Sequence, residues 1–223
     1  MFIGHFGVGF GAKKFAPRVS LALLFIAAQF LDLFWPVLLL VGVEKVELSP
    51  GITKMTPLDF TSYPITHSLL MAIVWGLVIG LLTWFITKKA NLAVILGILV
   101  PSHWVLDLLV HRPDLPLAPG MSAMAGLGLW NSVPATLILE GLIFAAGIYL
   151  YLRSTRPINK TGKYALWGLI LFFILIYGMN LFGPPPPNVK SIAWAGNLQW
   201  LFILWAWWAD KNRKPADTVK NQG

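Results

Sequence analysis

Residues Pro101–Pro116 read PSHWVLDLLVHRPDLP and set His103, Asp107 and His111 four residues apart in an otherwise apolar run. On a helix each four-residue step turns by about 40°, so the three side chains share a stripe roughly 80° wide. An imidazole or carboxylate at membrane depth is costly without a partner. Two readings stand: a wall of a metal site, or an inert hydrogen-bonded contact between helices.

Composition makes membrane depth the relevant setting. Of 223 residues, 57% are hydrophobic and 12% charged, about half the charged share of a soluble domain; mean hydropathy is +0.71. Six apolar segments are long enough to cross a hydrocarbon layer of roughly 30 Å: 19–43, 66–87, 91–110, 132–152, 164–183 and 192–209. Basic residues precede the first, but it continues to Val43 without a small-residue cleavage site and reads as an uncleaved span. Thirteen of the 17 Lys and Arg residues fall in alternate loops: Lys13, Lys14 and Arg18; Lys88 and Lys89; Arg153, Arg156, Lys160 and Lys163; Lys211, Arg213, Lys214 and Lys220. Lys45, Lys54, Arg112 and Lys190 are spread over the opposite loops. The positive-inside rule then puts both termini in the cytoplasm of a plasma or bacterial inner membrane. The excess of basic residues is a topology signal, and nucleic acid is not an expected partner. With no cysteine, thiolate sites and disulfides are excluded, so a metal must be held by His and carboxylate.

The expected fold is an all-α polytopic membrane helix bundle with six transmembrane spans. Residues 1–210 form its single domain and 211–223 a disordered cytoplasmic tail. Residues 1–16, MFIGHFGVGFGAKKFA, are too short to cross and form a re-entrant or interfacial segment. If that segment is helical and Lys13 marks the surface, His5 lies about 12 Å deep.

Other candidates follow along the chain. Asp32 sits about 21 Å along the first span from Arg18, and Pro36, one turn later, is expected to kink the helix and free carbonyls beside the carboxylate. A protonated Asp bonded to a neighbouring helix is the plainer alternative. Glu44, Glu47 and Asp59, in the long loop 44–65, read as solvated loop charges. His67 opens the second span in PITHSLL, as a ligand or as an interfacial anchor. Glu140 lies about 12 Å inside the fourth span from Ser132 and has no basic residue near it in its own helix. Asn131, Ser132 and Thr136 are candidate supporting groups. Spans five and six contain no ionisable residue in their apolar cores and read as scaffold. GMSAMAGLGLW, residues 120–130, reads as a linker that also offers a lid or substrate edge.

Asp32, His67, the third-span stripe and Glu140 reach the external half of the membrane, and His5 joins them only by re-entry from the other side. Imidazole and carboxylate together suit zinc, with manganese and iron as lesser fits. No GxSxG elbow, HExxH pair or phosphate-binding loop is present.

GHFGVGFGAKKFAP, the Asp of QFLDLFWP, THSLL and SHWVLDLLVHRPDLP resemble the motifs of the YdjM-like family of membrane-bound metal-dependent hydrolases, over about residues 1–140. That family is grouped with zinc-dependent phospholipase C and single-strand nucleases, all-helical enzymes with clustered zinc ions. The resemblance implies metal binding by His5, Asp32, His67, His103 and Asp107. His111 resembles a later histidine at shorter spacing, and Glu140 a closing glutamate ligand; Thr136 stands where the soluble enzymes have a histidine. The expected function is metal-dependent hydrolysis of a phosphoester or related bond in a lipid-derived substrate through a metal-activated water. Asp107 or Glu140 would take the water proton. The alternative is a transporter or permease for a metal ion or proton-coupled solute, using the same buried groups as a relay. A third reading is a structural subunit whose stripe stays paired and metal-free. Expected partners are membrane lipids and a lipid-derived or small-molecule substrate; oligomeric state is open.

Overall fold

The computed structural model describes residues 1–216. It is mostly helical: α1 (Ile3–Ala12), α2 (Leu21–Ala28), α3 (Phe30–Leu40), α4 (Leu69–Thr87), α5 (Ala90–Val110), α6 (Val133–Ser154), α7 (Lys160–Phe182), α8 (Val189–Asn197) and α9 (Gln199–Lys211). Three small two-stranded antiparallel pairings decorate the helices: the hairpins β1 (Lys45–Leu48) with β2 (Leu58–Ser62) and β3 (Leu115–Pro116) with β4 (Met124–Ala125), and the long-range pair β5 (Thr155–Pro157) with β6 (Arg213–Pro215).

Among the described residues, α4, α5, α6 and α7 are long and apolar enough to cross a membrane, and α2 with α3 makes a fifth such segment if the bent pair counts as one. Their outer faces carry exposed apolar side chains, among them Leu77, Ile86, Ile98 and Leu142. Exposed apolar side chains along these helices are compatible with contact with lipid. The structure thus gives four to five candidate spans where six were expected, because residues 192–209 are divided between α8 and α9, each short of a membrane crossing.

The first broken segment has its bend at Gln29, where α2 meets α3 at 60°, not at Pro36. Pro36 lies inside α3, and the carbonyl its ring leaves without an intrahelical donor is that of Asp32, which accepts from Gln199 Nε2 at 3.3 Å. The bend arises instead at the α2 C-terminus, whose last carbonyls have no helical partner.

Helix α1 is buried on nearly every side. Its glycines allow this: a Cβ on Gly7 would come within 2.8 Å of the Ile143 carbonyl and Phe144 Cα, and one on Gly147 would overlap the Gly7 carbonyl. Backbone-to-backbone packing of α1 on α6 carries a ten-residue helix into the bundle, with Phe6 and Phe10 in a core shared with Phe25, Phe144 and Phe173. The expected disordered tail divides: residues 211–216 end α9 and form β6, paired to β5, while residues 217–223 lie outside the described residues.

Candidate metal centre

The stripe on α5 forms as the 3.6-residue period requires, with His103 and Asp107 buried on one face and His111 just past the helix end, also buried. Around Asp107 four imidazoles gather, each through Nε2: His5 at 3.1 Å, His103 at 3.2 Å, His67 at 3.8 Å and His111 at 3.9 Å. Asp32 completes the group, 3.4 Å from His67 Nε2 and 3.6 Å from His103 Nε2. Its side chain is 23% exposed against 2% for Asp107, so Asp32 is the open edge of the cluster. Two overlapping ligand triads result, His5–His103–Asp107 and Asp32–His67–His103, with His103 common to both and the ligand atoms of each triad within 4.8 Å of one another. Zinc bonds of about 2.0–2.1 Å in tetrahedral arrangement give ligand-to-ligand edges of about 3.4 Å, close to the separations of His103, His67 and Asp32.

The outer ring nitrogens fix where the protons sit. His103 Nδ1 is 2.9 Å from the Ala28 carbonyl, one of those freed at the bend, and a carbonyl only accepts. Thr66 donates its one hydroxyl proton to Glu44 at 2.6 Å, so His67 Nδ1, 2.7 Å away, donates to Thr66. His111 Nδ1 donates to Asp114 at 2.9 Å, and burial holds this imidazole below its ordinary range, in the neutral form. Burial, then the Asp114 carboxylate, raises Tyr63 well above a free phenol, so its hydroxyl stays protonated and donates to Asp114 at 3.3 Å. In His111 the nitrogen facing the carboxylates therefore carries a lone pair, and the neutral forms of His103 and His67 present one in the same direction. Among the described residues His103 Nε2 is buried without a hydrogen bond of good geometry, although Asp107 and Asp32 stand 3.2 and 3.6 Å away. Lone pairs aimed at carboxylate oxygens repel unless a cation lies between them. The one cation in contact with this group among the described residues is the Met1 amino nitrogen, 2.5 Å from Asp107 Oδ1. The donor set thus fits a divalent metal.

Each sequence candidate has a definite place. His5, Asp32, His67, His103 and Asp107 come together, and His111 stands at the rim, its ring 4.1 Å from that of Trp130. Glu140 is buried but belongs to neither triad; its Oε2 accepts from the Phe2 and Gly4 amides at 2.8 and 3.3 Å, capping α1 and so holding His5 in position. Thr136 donates to the Leu129 and Ser132 carbonyls and supports its own helix start, not the cluster.

Glu44 departs most from expectation. It is 1% exposed rather than solvated, and it accepts from the Ile65 and Thr66 amides as well as the Thr66 hydroxyl. Asp59 pairs with Arg112, which reaches Asp114 at 3.0 Å, so the β1–β2 hairpin is tied to the partner of His111. The only sequence signal for either was an acid within about 23 residues of the THS motif. Residues 120–130 fold back over the end of α5, where Leu127 and Gly128 donate to the Leu108 and His111 carbonyls. A cavity of about 160 Å³ lies between this loop and the Tyr63–Asp114 pair, with Met121 and Met124 on its edge.

No protein-family profile, curated protein or solved structure matches the chain.

Proposed function

We propose that this chain is a membrane-embedded, metal-dependent hydrolase acting on a phosphoester or related bond of a lipid-derived substrate. The observation that carries the reading is the set of three Nε2 atoms, on His67, His103 and His111, turned toward the Asp32 and Asp107 carboxylates. The mixed imidazole and carboxylate set suits zinc, with manganese or iron as lesser fits, and shared His103 leaves room for more than one ion. The resemblance to the YdjM-like family supports the same ligand residues.

Bound in such a site, the metal supplies a Lewis acid and lowers the pKa of a coordinated water. The chain's own residues do the rest. Asp107 orients four imidazoles from α1, α5 and the turn before α4. The Ala28 carbonyl, the Thr66–Glu44 pair and Asp114 lock three rings in the ligating tautomer. Of the two carboxylates named from sequence as proton acceptors, Glu140 is committed to the α1 amides and Asp107 is enclosed by imidazoles. We assign the proton-accepting role to Asp32, the carboxylate on the open edge. Exposed Val37 and Leu40 of α3, with Val41 just past its end, offer an apolar approach for acyl chains.

The charge pattern supports both termini in the cytoplasm and a site in the outer half of a plasma or bacterial inner membrane. That topology needs an even number of crossings, with α8 and α9 together as a broken sixth span.

Elemental analysis of the purified wild type beside His103→Ala and Asp107→Ala tests the metal. At least one transition-metal ion per chain is expected in the wild type, less than a tenth of that in His103→Ala, and an intermediate amount in Asp107→Ala, which leaves the Asp32–His67–His103 triad intact; a metal-free wild type overturns the reading. Hydrolysis of a chromogenic phosphodiester, lost on chelation and restored by zinc, tests the reaction. Stoichiometric metal without hydrolysis, together with metal uptake into proteoliposomes, would favour transport.

A further inference from the structure

A second polar cluster lies at the far end of α1, about 12 Å along the helix from His5, and the proposed reaction makes no use of it. Lys13 Nζ is buried against both oxygens of Asp210 at 2.8 and 2.6 Å, and Tyr151 and the Leu21 amide donate to the same carboxylate at 2.6 and 3.0 Å. Asp210 is therefore fully engaged. Beside it opens a cavity of about 340 Å³, within the range of about 300–1,000 Å³ of small-molecule sites. Its walls include Lys13, Arg18, Lys211, Arg213 and Lys214 against the single acid Asp210, five cations to one anion, for a net charge of +4.

Arg213 is the informative member. It is 9% exposed and pairs with no carboxylate among the described residues. Its guanidinium donates to Thr155 Oγ1 at 3.0 Å, the Gly162 carbonyl at 2.8 Å and the Thr155 carbonyl at 3.4 Å. The guanidinium also lies 5.3 Å from the Tyr151 ring centroid, and these contacts leave part of its five-donor fork for a further acceptor. Asp210, the nearby anion, is shared with Lys13 and makes no direct ion pair with Arg213, and the planar guanidinium fork matches phosphate oxygens. Arg18 and Lys214 make no ion pair among the described residues, and Lys211 rests 4.0 Å over the Trp207 ring at the rim.

We infer that this pocket binds a phosphate group, with Arg213 as its buried anchor and Arg18 and Lys214 as its outer wall. The phosphate can come from an anionic lipid headgroup or from a soluble ion. Calorimetric titration of the protein in phosphatidylcholine nanodiscs, with short-chain phosphatidic acid in one arm and inorganic phosphate in the other, separates the sources. Saturable binding is expected, weakened at least tenfold in Arg18→Gln/Lys214→Gln, whose side chains lie outside the packed core, and unchanged in Lys160→Gln/Lys163→Gln, which removes the same charge outside the pocket. Phosphatidic acid binding at least tenfold tighter than phosphate identifies the lipid source, and comparable affinities the soluble one. Absence of saturation in both arms, or equal weakening by the two double variants, overturns the proposal. An Arg213→Lys variant, which keeps the charge but not the fork, is expected to fall between wild type and Arg18→Gln/Lys214→Gln.

Discussion

His5 and His103 stack face to face, their ring centroids 3.5 Å apart and their planes 7° from parallel, although one comes from α1 and the other from α5. Both turn Nε2 toward Asp107. Two imidazolium cations this close would repel strongly, so the pair is stable with at least one ring neutral and able to ligate.

The overlap of the two triads at His103 sets an order of effects. His103→Ala is expected to remove metal from both triads, whereas His5→Ala and His67→Ala each leave one triad intact. Zinc retained after dialysis against a chelator measures this. Full retention in His103→Ala beside loss in His5→Ala would show that the triads are not the binding units.

Glu44 and Thr66 hold the ring of His67, and through it would tune a metal bound there. Thr66→Val removes the acceptor for His67 Nδ1 and is expected to weaken metal affinity about 10–100-fold, the range for groups that orient a ligating histidine. Thr66→Ser, which keeps the hydroxyl, should restore most of it. Competition with a zinc-sensitive dye gives both numbers, and equal affinities for Val and Ser would remove the relay from the account.

Close packing of α1 on α6 should be as necessary as the ligand it carries. Gly7→Ala places a methyl 2.8 Å from the Ile143 carbonyl, so α1 must shift or α6 must give. Overpacking of this kind costs about 1–3 kcal/mol, and displacement of α1 withdraws His5. Thermal unfolding in detergent should show the loss of stability, and metal retention should fall to the level of His5→Ala. Retention at the wild-type level would mean that α1 tolerates the shift.

Gln29 lies at the bend with its side chain fully buried and both amide atoms without partners among the described residues. A buried unsatisfied amide costs about 1–3 kcal/mol, so Gln29→Met, similar in length and apolar, is expected to raise the unfolding midpoint. A lowered midpoint would show that the amide has a partner in the membrane or in the bound state.

The helical period made the α5 stripe legible, because three polar groups at four-residue spacing in an apolar run have one face to share whatever else the chain does. Hydropathy likewise marked α4 to α7, since a membrane demands length and apolarity in one continuous segment. Asp32 and His67 stood out for the same reason: a polar group is conspicuous against an apolar background.

Tertiary structure decided what lay outside such backgrounds. Glu44 belongs to a polar segment, where composition suggests solvation, and only the turn before α4 folding over it produced its burial. The bend fell at Gln29 because the end of α2 was stabilised by a distant histidine, not by the local proline. His5 reached Asp107 because two glycines on different helices brought their backbones into contact. By itself the sequence determined the residue types of the cluster and the helices that carry most of them, since both follow from local periodicity. The meeting of α1, the bend and α5 at one carboxylate was set by long-range packing and by which donors found acceptors, and neither leaves a periodic trace in the chain.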